Sequence, residues 1–206
     1  MIGTCSDDLE PVSATPWNWR DISWLKQGTP RQQAAWVVLA DHAVLQKLAA
    51  FDPVLAGTVP LEVDQPDSDL DIICEIHDAS EFASCLMDHF ETRDRFRLTR
   101  GVVHYEPTTI ATFVLDGWPI EVFGQAIPVD HQAAVVHLEV EHRLLALAGE
   151  SLRSTVRALK QAGLKTEPAF ARALALPGDP YEQLYSMCAW TDDQLLEVLE
   201  AAKVIR

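Results

Sequence analysis

With 206 residues, the chain is long enough for one sizeable domain or for a catalytic domain with a helical extension, and two independent cores are not expected. Its 31 acidic and 16 basic residues give a formal net charge of −15, so its surface should repel long nucleic acids and favour a small substrate. Its cysteines lack C-x-x-C spacing, which favours reduced, buried thiols over disulfides or zinc. They are Cys5, Cys74, Cys85 and Cys188.

Residues 1–28 are predicted to form an N-terminal arm that is held in place by the burial of three tryptophans. These are Trp17, Trp19 and Trp24. Its start has no basic residues and no apolar core segment, so no secretory signal is expected and a cytoplasmic location is predicted. The most apolar long stretch, residues 34–51, is interrupted by charged side chains, which argues against a membrane span.

Residues 29–127 are predicted to be an α/β domain. Thr29, Pro30 and Gln32 are typical of a capped helix start, and this helix is predicted to run to about Ala50. Further on, Asp78 predicts the start of a second helix. Because helices alternate with apolar, strand-like runs, we expect a mixed β-sheet with flanking helices. The strand candidates are residues 54–58, 69–76, 96–100, 102–105, 108–115 and 118–123.

Asp69 and Asp71 form the most informative pair in the sequence. Residues two apart on a strand point the same way, so both carboxylates should crowd one spot beside an apolar sheet core. Like charges that close repel each other, whereas a divalent cation converts the repulsion into coordination. A solvent-facing strand edge is the alternative interpretation of the same Asp-x-Asp pattern.

A third acid follows at Glu121, between Ile120 and Val122. Asp116 and Gly117 are typical of a two-residue type I′ hairpin turn, which would place Glu121 opposite Thr112. The strand is too apolar to be a solvated face, so an acid within it requires a partner.

These acids, together with the earlier Gly57 and Thr58, give the chain a pattern that resembles the polymerase-beta-like nucleotidyltransferase superfamily. Over nearly its whole length the chain also resembles a bacterial family of unknown function, domain of unknown function 4269, which is grouped with these transferases. The stretches that carry this second resemblance are residues 53–60, 68–74, 120–125, 163–170 and 178–181.

The resemblance implies a magnesium- or manganese-dependent transfer of a nucleotidyl group from a nucleoside triphosphate to a hydroxyl of a small molecule or a protein. Asp69, Asp71 and Glu121 would then be the metal-binding and catalytic acids. Gly57 and Thr58 would hold the β- and γ-phosphates, and Ser68 would steady the loop. This chain has Thr58 where Ser is commoner, and Glu121 where Asp is commoner.

Residues 128–206 are predicted to be an all-helical C-terminal region. Thr166 is expected to cap one of its helices, and Lys165 and Thr166, with Arg100 of the α/β domain, are possible substrate or phosphate contacts. Arg97 is a further candidate for a cation near the pyrophosphate. His137 and Glu141 lie one helical turn apart, but no four-ligand zinc set is complete, so a solvated helix face or a cleft rim is expected.

Two other functions fit the same residues. One is a non-catalytic nucleotide-binding module, or a part of a toxin-antitoxin-like pair, on the same fold. The other is a metal-dependent phosphohydrolase, which is less favoured because His77 is the only histidine near the paired acids.

Overall fold

The computed structural model of the protein describes residues 17–103 and 105–205. Predictions that concern residues 1–16, including Cys5, and His104 lie outside this part of the chain. The described residues divide into two compact units. One contains Asn18–Glu62 and Pro66–Val135, and the other contains residues 136–205 with Trp17 and Val63–Gln65.

The first unit is built on a mixed sheet, as predicted, and this sheet has five strands. Its strand order is β1-β2-β5-β4-β3, in which β2 and β5 are parallel and all other neighbours are antiparallel. The stretches 96–100 and 102–103, which were predicted to lie in two separate strands, belong to a single strand, β3, which ends at Val103. The strands are β1 (Val54–Ala56), β2 (Leu70–Glu75), β3 (Asp94–Val103), β4 (Glu106–Leu115) and β5 (Trp118–Gln125).

Three α-helices accompany this sheet, namely α1 (Pro30–Asp41), α2 (Val44–Lys47) and α3 (Ala79–Phe90). The capping box of Thr29 and Gln32 is present at the start of α1. The prediction of one helix to Ala50 is wrong, because Ala43 adopts a left-handed conformation (φ 50°) that interrupts the helix after His42.

One face of the sheet carries the apolar core. Leu70, Ile72 and Cys74 of β2 alternate onto this face and are fully buried, and they belong to the same cluster as Phe82 of α3. Burial raises the pKa of the Cys74 thiol, so it remains protonated and unreactive, as expected for a buried cysteine. Because side chains alternate along a strand, Asp71 lies on the opposite face.

The second unit is all-helical in its C-terminal part, also as predicted. Its helices are α4 (Ala133–Ala148), whose first turn belongs to the first unit, α5 (Glu150–Gln161), α6 (Thr166–Ala173), α7 (Pro180–Ser186) and α8 (Asp192–Ala201). Thr166 is not the helix cap that its position predicted. Lys165 precedes the helix, and the Thr166 hydroxyl instead accepts a hydrogen bond from Lys160 Nζ at 2.7 Å.

The expectation of a solvated face around His137 and Glu141 is wrong, because these side chains are only 7% and 4% exposed. His137 Nε2 lies 3.1 Å from the carbonyl oxygen of Tyr181 and therefore donates to it, while Nδ1 lies 3.4 Å from Glu167 Oε1. Helices α6 and α7 thus cover a face that the sequence of α4 alone presents as polar.

Among the described helices, none is both long enough and apolar enough to span a lipid bilayer.

Candidate metal and nucleotide site

Asp71 and Glu121 lie side by side on the two parallel strands at the middle of the sheet. The register pairs Asp71 with Glu121, so both carboxylates leave the same face from backbones about 4.8 Å apart. Thr112 lies opposite Glu121, as predicted. Asp116 and Gly117 adopt φ values of 48° and 85°, which are those of the predicted type I′ turn.

Asp69 adds a third carboxylate at the entrance to β2. Its side chain is exposed, whereas those of Asp71 and Glu121 are half-buried. The pKa of Glu121 is raised above its ordinary value, first by burial and then by the negative charge of Asp69. The charges of two acids that are far apart in sequence therefore act on each other, which is the arrangement that a cation relieves.

The donor set fits a divalent ion with a preference for hard oxygen ligands. Residues 17–103 and 105–205 contain no group of three or more His, Cys, Asp or Glu side chains that could hold a metal ion by themselves. Asp69, Asp71 and Glu121 thus do not form a complete ligand set in this structure. Magnesium does not require one, because it is commonly held by one or two carboxylates together with waters and substrate phosphates.

Gly57 lies directly beside Asp71. Ala56 pairs with Asp71 across β1 and β2, and Gly57 follows with φ 77°, a conformation that favours glycine. A Cβ atom at this position would clash with Asp71 Oδ2. The absence of a side chain therefore lets the Asp71 carboxylate lie against the backbone of the loop.

The structure also brings together Thr58, which is predicted to hold a phosphate, and Ser68, which is predicted to steady the loop. The Thr58 hydroxyl donates to Ser68 Oγ at 3.3 Å. This contact joins the loop that follows β1 to the residue that precedes Asp69. Gly57, Thr58, Ser68 and the acids Asp69 and Asp71 therefore form one continuous polar edge.

The first turn of α1 braces both loops of this edge. Gln32 is only 2% exposed, and its Nε2 donates to the carbonyl oxygens of Val59 at 3.1 Å and Pro60 at 3.2 Å. Its Oε1 accepts from the backbone N–H of Thr29. One buried amide thus fixes the helix start and the loop after Thr58 at the same time.

Arg31 holds the other loop. Its Nη2 donates to the carbonyl oxygens of Pro66 at 3.0 Å and Ser68 at 3.3 Å. Its guanidinium lies over the ring of Trp118, 3.9 Å from the centroid. Because Trp118 begins β5 and Ser68 precedes β2, this contact ties the entrances of the two acid-bearing strands together.

Sequence reasoning missed Arg31 and Gln32 as supports of the site. Gln32 matches a capping box, and that pattern explains its position without any further role. The cation–π partner Trp118 lies far from Arg31 in sequence, so no local pattern links them. The sequence indicates a helix start by its proline and glutamine, but it does not indicate which loops this helix start contacts.

The three possible substrate contacts are placed differently. Arg100 lies opposite Thr109, which in turn lies opposite Gly124 and Cys74, so Arg100 is on the helix-covered face of the sheet. It donates to the carbonyl oxygen of Ala79 at 3.0 Å. Lys165 and Thr166 belong to the helical unit, where Lys165 is exposed and Thr166 is paired with Lys160.

Solved structures that resemble the chain include the GLD-2/RNP-8 complex, the polymerase core of the RNA surveillance complex TRAMP, and the Cid1 poly(U) polymerase with magnesium and 3′-dATP. Their sequence identities are 10%, 16% and 11%, and each has a TM-score of 0.49. The matches cover 70%, 84% and 75% of this chain, which spans 57%, 59% and 47% of those chains.

Comparison with curated protein sequences gives no match. A family model, in contrast, matches residues 37–187, which include Gly57, all three site acids and the Lys165–Thr166 segment. The chain therefore belongs to the family described as Domain of unknown function (DUF4269).

Proposed function

We propose that the protein is a magnesium-dependent nucleotidyltransferase that moves a nucleotidyl group from a nucleoside triphosphate to a hydroxyl of a small molecule or a protein. The observation that carries this proposal is the placement of Asp71 beside Glu121, in the field of Asp69 and next to Gly57. Three acids that lack a shared function would be a costly arrangement on a sheet.

Each residue has a defined task in this proposal. Asp69 and Asp71 would hold the magnesium that binds the triphosphate. Glu121 would be the third metal-binding acid, on the side of the acceptor. Gly57 offers a backbone that a phosphate can approach closely, while the Thr58 hydroxyl would exchange its hydrogen bond to Ser68 for one to the phosphate. Arg31 and Gln32 act as positioning residues, because they contact the loops rather than the reacting groups.

The chemistry is an in-line displacement at the α-phosphorus. The acceptor oxygen forms a bond to this phosphorus, and the bond to the bridging oxygen breaks, so its electron pair leaves with pyrophosphate. The hydroxyl proton passes to a carboxylate, for which Glu121 is suited because it lies beside Asp71 on the neighbouring strand. Bound magnesium would supply charge neutralisation at the phosphates and lower the pKa of the acceptor hydroxyl.

The test has two stages. Binding of manganese-loaded, non-hydrolysable ATP, CTP, GTP and UTP analogues is measured by calorimetry. Each labelled triphosphate is then incubated with magnesium, the protein and a small-molecule extract. Pyrophosphate release and labelling of the protein itself or of extract molecules are measured, and Asp71→Ala should reduce them about a thousandfold.

Glu141→Gln is the matched control, since it neutralises a buried acid of the helical unit and should leave both measurements unchanged. Metal-dependent nucleotide binding without turnover would instead support the alternative of a non-catalytic binding module or a toxin-antitoxin-like component. Absence of metal-dependent nucleotide binding in the unaltered protein would refute both functions.

A further inference from the structure

A single row of side chains crosses the sheet through the candidate site. Consecutive cross-strand pairs connect one residue from each of the five strands, and paired residues project from the same face. In spatial order the row is Ala56, Asp71, Glu121, Thr112 and Arg97. The acids are therefore followed on one side by Gly57, next to Ala56, and on the other by a hydroxyl and a guanidinium.

Arg97 is suited to bind an anion from outside the protein. Its side chain is exposed, and within the described residues it has no hydrogen-bond or ion-pair partner. This distinguishes it from Arg100, which lies on the other face and donates to a backbone carbonyl. In a chain of net charge −15, such a cation on the face of the acids is a local exception to the overall negative field.

The order of the row assigns sides to the two substrates. The full row spans four strand spacings, about 19 Å, and Arg97 lies two spacings, about 10 Å, from Glu121 at the level of the backbone. If Gly57 and Thr58 hold the β- and γ-phosphates, the leaving pyrophosphate lies on the β1 side. In-line attack then brings the acceptor from the opposite side, where Thr112 and Arg97 lie.

We propose that the acceptor is an anionic small molecule, and that Arg97 binds its phosphate or carboxylate group with help from the Thr112 hydroxyl. This inference rests on the proposed function and narrows its acceptor class. A guanidinium suits such a group because it offers parallel N–H donors that match two anionic oxygens. Binding of this anion would hold the acceptor hydroxyl near Glu121. The negative charges of the acids would disfavour an anion that lies closer to them.

The inference is tested with two probes, inorganic phosphate and acetate. Each is titrated into the protein saturated with magnesium and the non-hydrolysable ATP, CTP, GTP or UTP analogue that it binds most tightly, and binding is measured by calorimetry. We expect at least one probe to bind, with affinity at least about tenfold weaker in Arg97→Ala and intermediate in Arg97→Lys. The tighter probe identifies whether the acceptor class is phosphorylated or carboxylated.

Two further measurements separate the possible failures. The affinity for the chosen nucleotide analogue should change less than about twofold in Arg97→Ala. Arg172→Ala, which removes the same charge from an exposed position of α6, should bind the probes like the unaltered protein. Nucleotide binding with equal probe binding in Arg97→Ala would overturn this inference alone. A large loss of nucleotide affinity in Arg97→Ala would assign Arg97 to the triphosphate and also overturn it. Absence of nucleotide binding in the unaltered protein would instead overturn the proposed function.

Discussion

The sheet unit and the helical unit each place acids among apolar residues, but they neutralise them differently. In the helical unit, burial raises the pKa of Glu167, yet hydrogen bonds from His137 and the backbone, with the charges of His137 and Lys160, outweigh burial and lower it overall. On the sheet, burial and the charge of Asp69 both raise the pKa of Glu121. The counter-charges of Glu167 therefore lie inside the protein, whereas the charge that acts on Glu121 is a further negative one.

This difference separates the acids that the helical unit neutralises itself from the acids of the proposed site. The pKa of Glu141 is also raised, mainly by complete burial and then by Glu167, but Lys160 acts in the opposite direction. Glu141 and Glu167 therefore interact with a cation, Lys160, and Glu167 also with a histidine, His137, all within the helical unit. The sheet group is open to solvent at Asp69 and is held by a rigid scaffold of loops, which is the condition expected of a site that receives its cation from outside.

Among substitutions that leave the acids in place, the largest effect should come from Gly57→Ala, which changes the backbone that supports the Asp71 carboxylate. The left-handed backbone alone costs about 1–2 kcal/mol with a Cβ atom, and the clash with Asp71 Oδ2 would displace that carboxylate. We expect the affinity for a metal–nucleotide complex to fall at least about tenfold. Calorimetric titration with a manganese-loaded ATP analogue measures it.

Gly163→Ala is the control for this substitution. Gly163 also has a positive φ, of 97°, but a Cβ atom there would have no neighbour within 4 Å. It should therefore reduce stability without changing nucleotide affinity. If both variants bind the analogue equally well, the contact between Gly57 and Asp71 does not support the site.

An intermediate effect is expected from Gln32→Ala, which removes a brace rather than a ligand. The substitution leaves the carbonyl oxygens of Val59 and Pro60 without their buried donor and breaks the capping box, so the free energy of unfolding should fall by about 1–3 kcal/mol. Urea denaturation measures it. Gln33→Ala removes only an exposed bond to Gly28 and should change it by less than about 0.5 kcal/mol. Equal losses in the two variants would contradict the bracing role.

The smallest effect is an opposite pH dependence of the two units. Because the pKa of Glu121 is raised in the folded protein, the free energy of unfolding should fall as the pH rises from the ordinary glutamate value through the raised value. Above that range, Glu121→Gln should be more stable than the unaltered protein. The lowered pKa of Glu167 gives the reverse, because its contribution is present above the ordinary value and is lost as the pH falls. Solvent screening should keep the Glu121 effect below about 1 kcal/mol.

Thermal unfolding of Glu121→Gln and Glu167→Gln between about pH 4 and pH 8 checks this comparison. Magnesium with an ATP analogue should stabilise the unaltered protein and thereby remove the advantage of Glu121→Gln. The same sign of pH dependence for both variants would show that the two groups of acids do not differ as described.

Much of the sheet could be predicted from local patterns. The alternation around Asp69 and Asp71 and the Asp116–Gly117 turn are properties of neighbouring residues, and together they gave the face of Asp71 and the pairing of Glu121 with Thr112. Glu121 itself was identifiable because an acid in an apolar strand needs a partner. These features depend on periodicity, which a single sequence contains.

The remaining features depend on contacts between distant segments. The left-handed Ala43 has no turn signal of its own, and the burial of His137 and Glu141 results from α6 and α7 rather than from α4. The alignment of Arg97 with the acids depends on a register shift in β3 between Asp94 and Arg97. One extra residue there decides which arginines share the face of the acids, and no local pattern specifies it.

The same register shift also bears on how readily β3 could pair with a second molecule. In the described part of the chain the sheet has a three-residue strand, β1, at one border and the ten-residue β3 at the other. A long border strand is a template for pairing with a second molecule, but a bulge that contains the left-handed Arg95 (φ 56°) and a row of exposed charges disfavour such an addition. The irregularity that orients Arg97 thus also helps to keep the protein from aggregating through this strand.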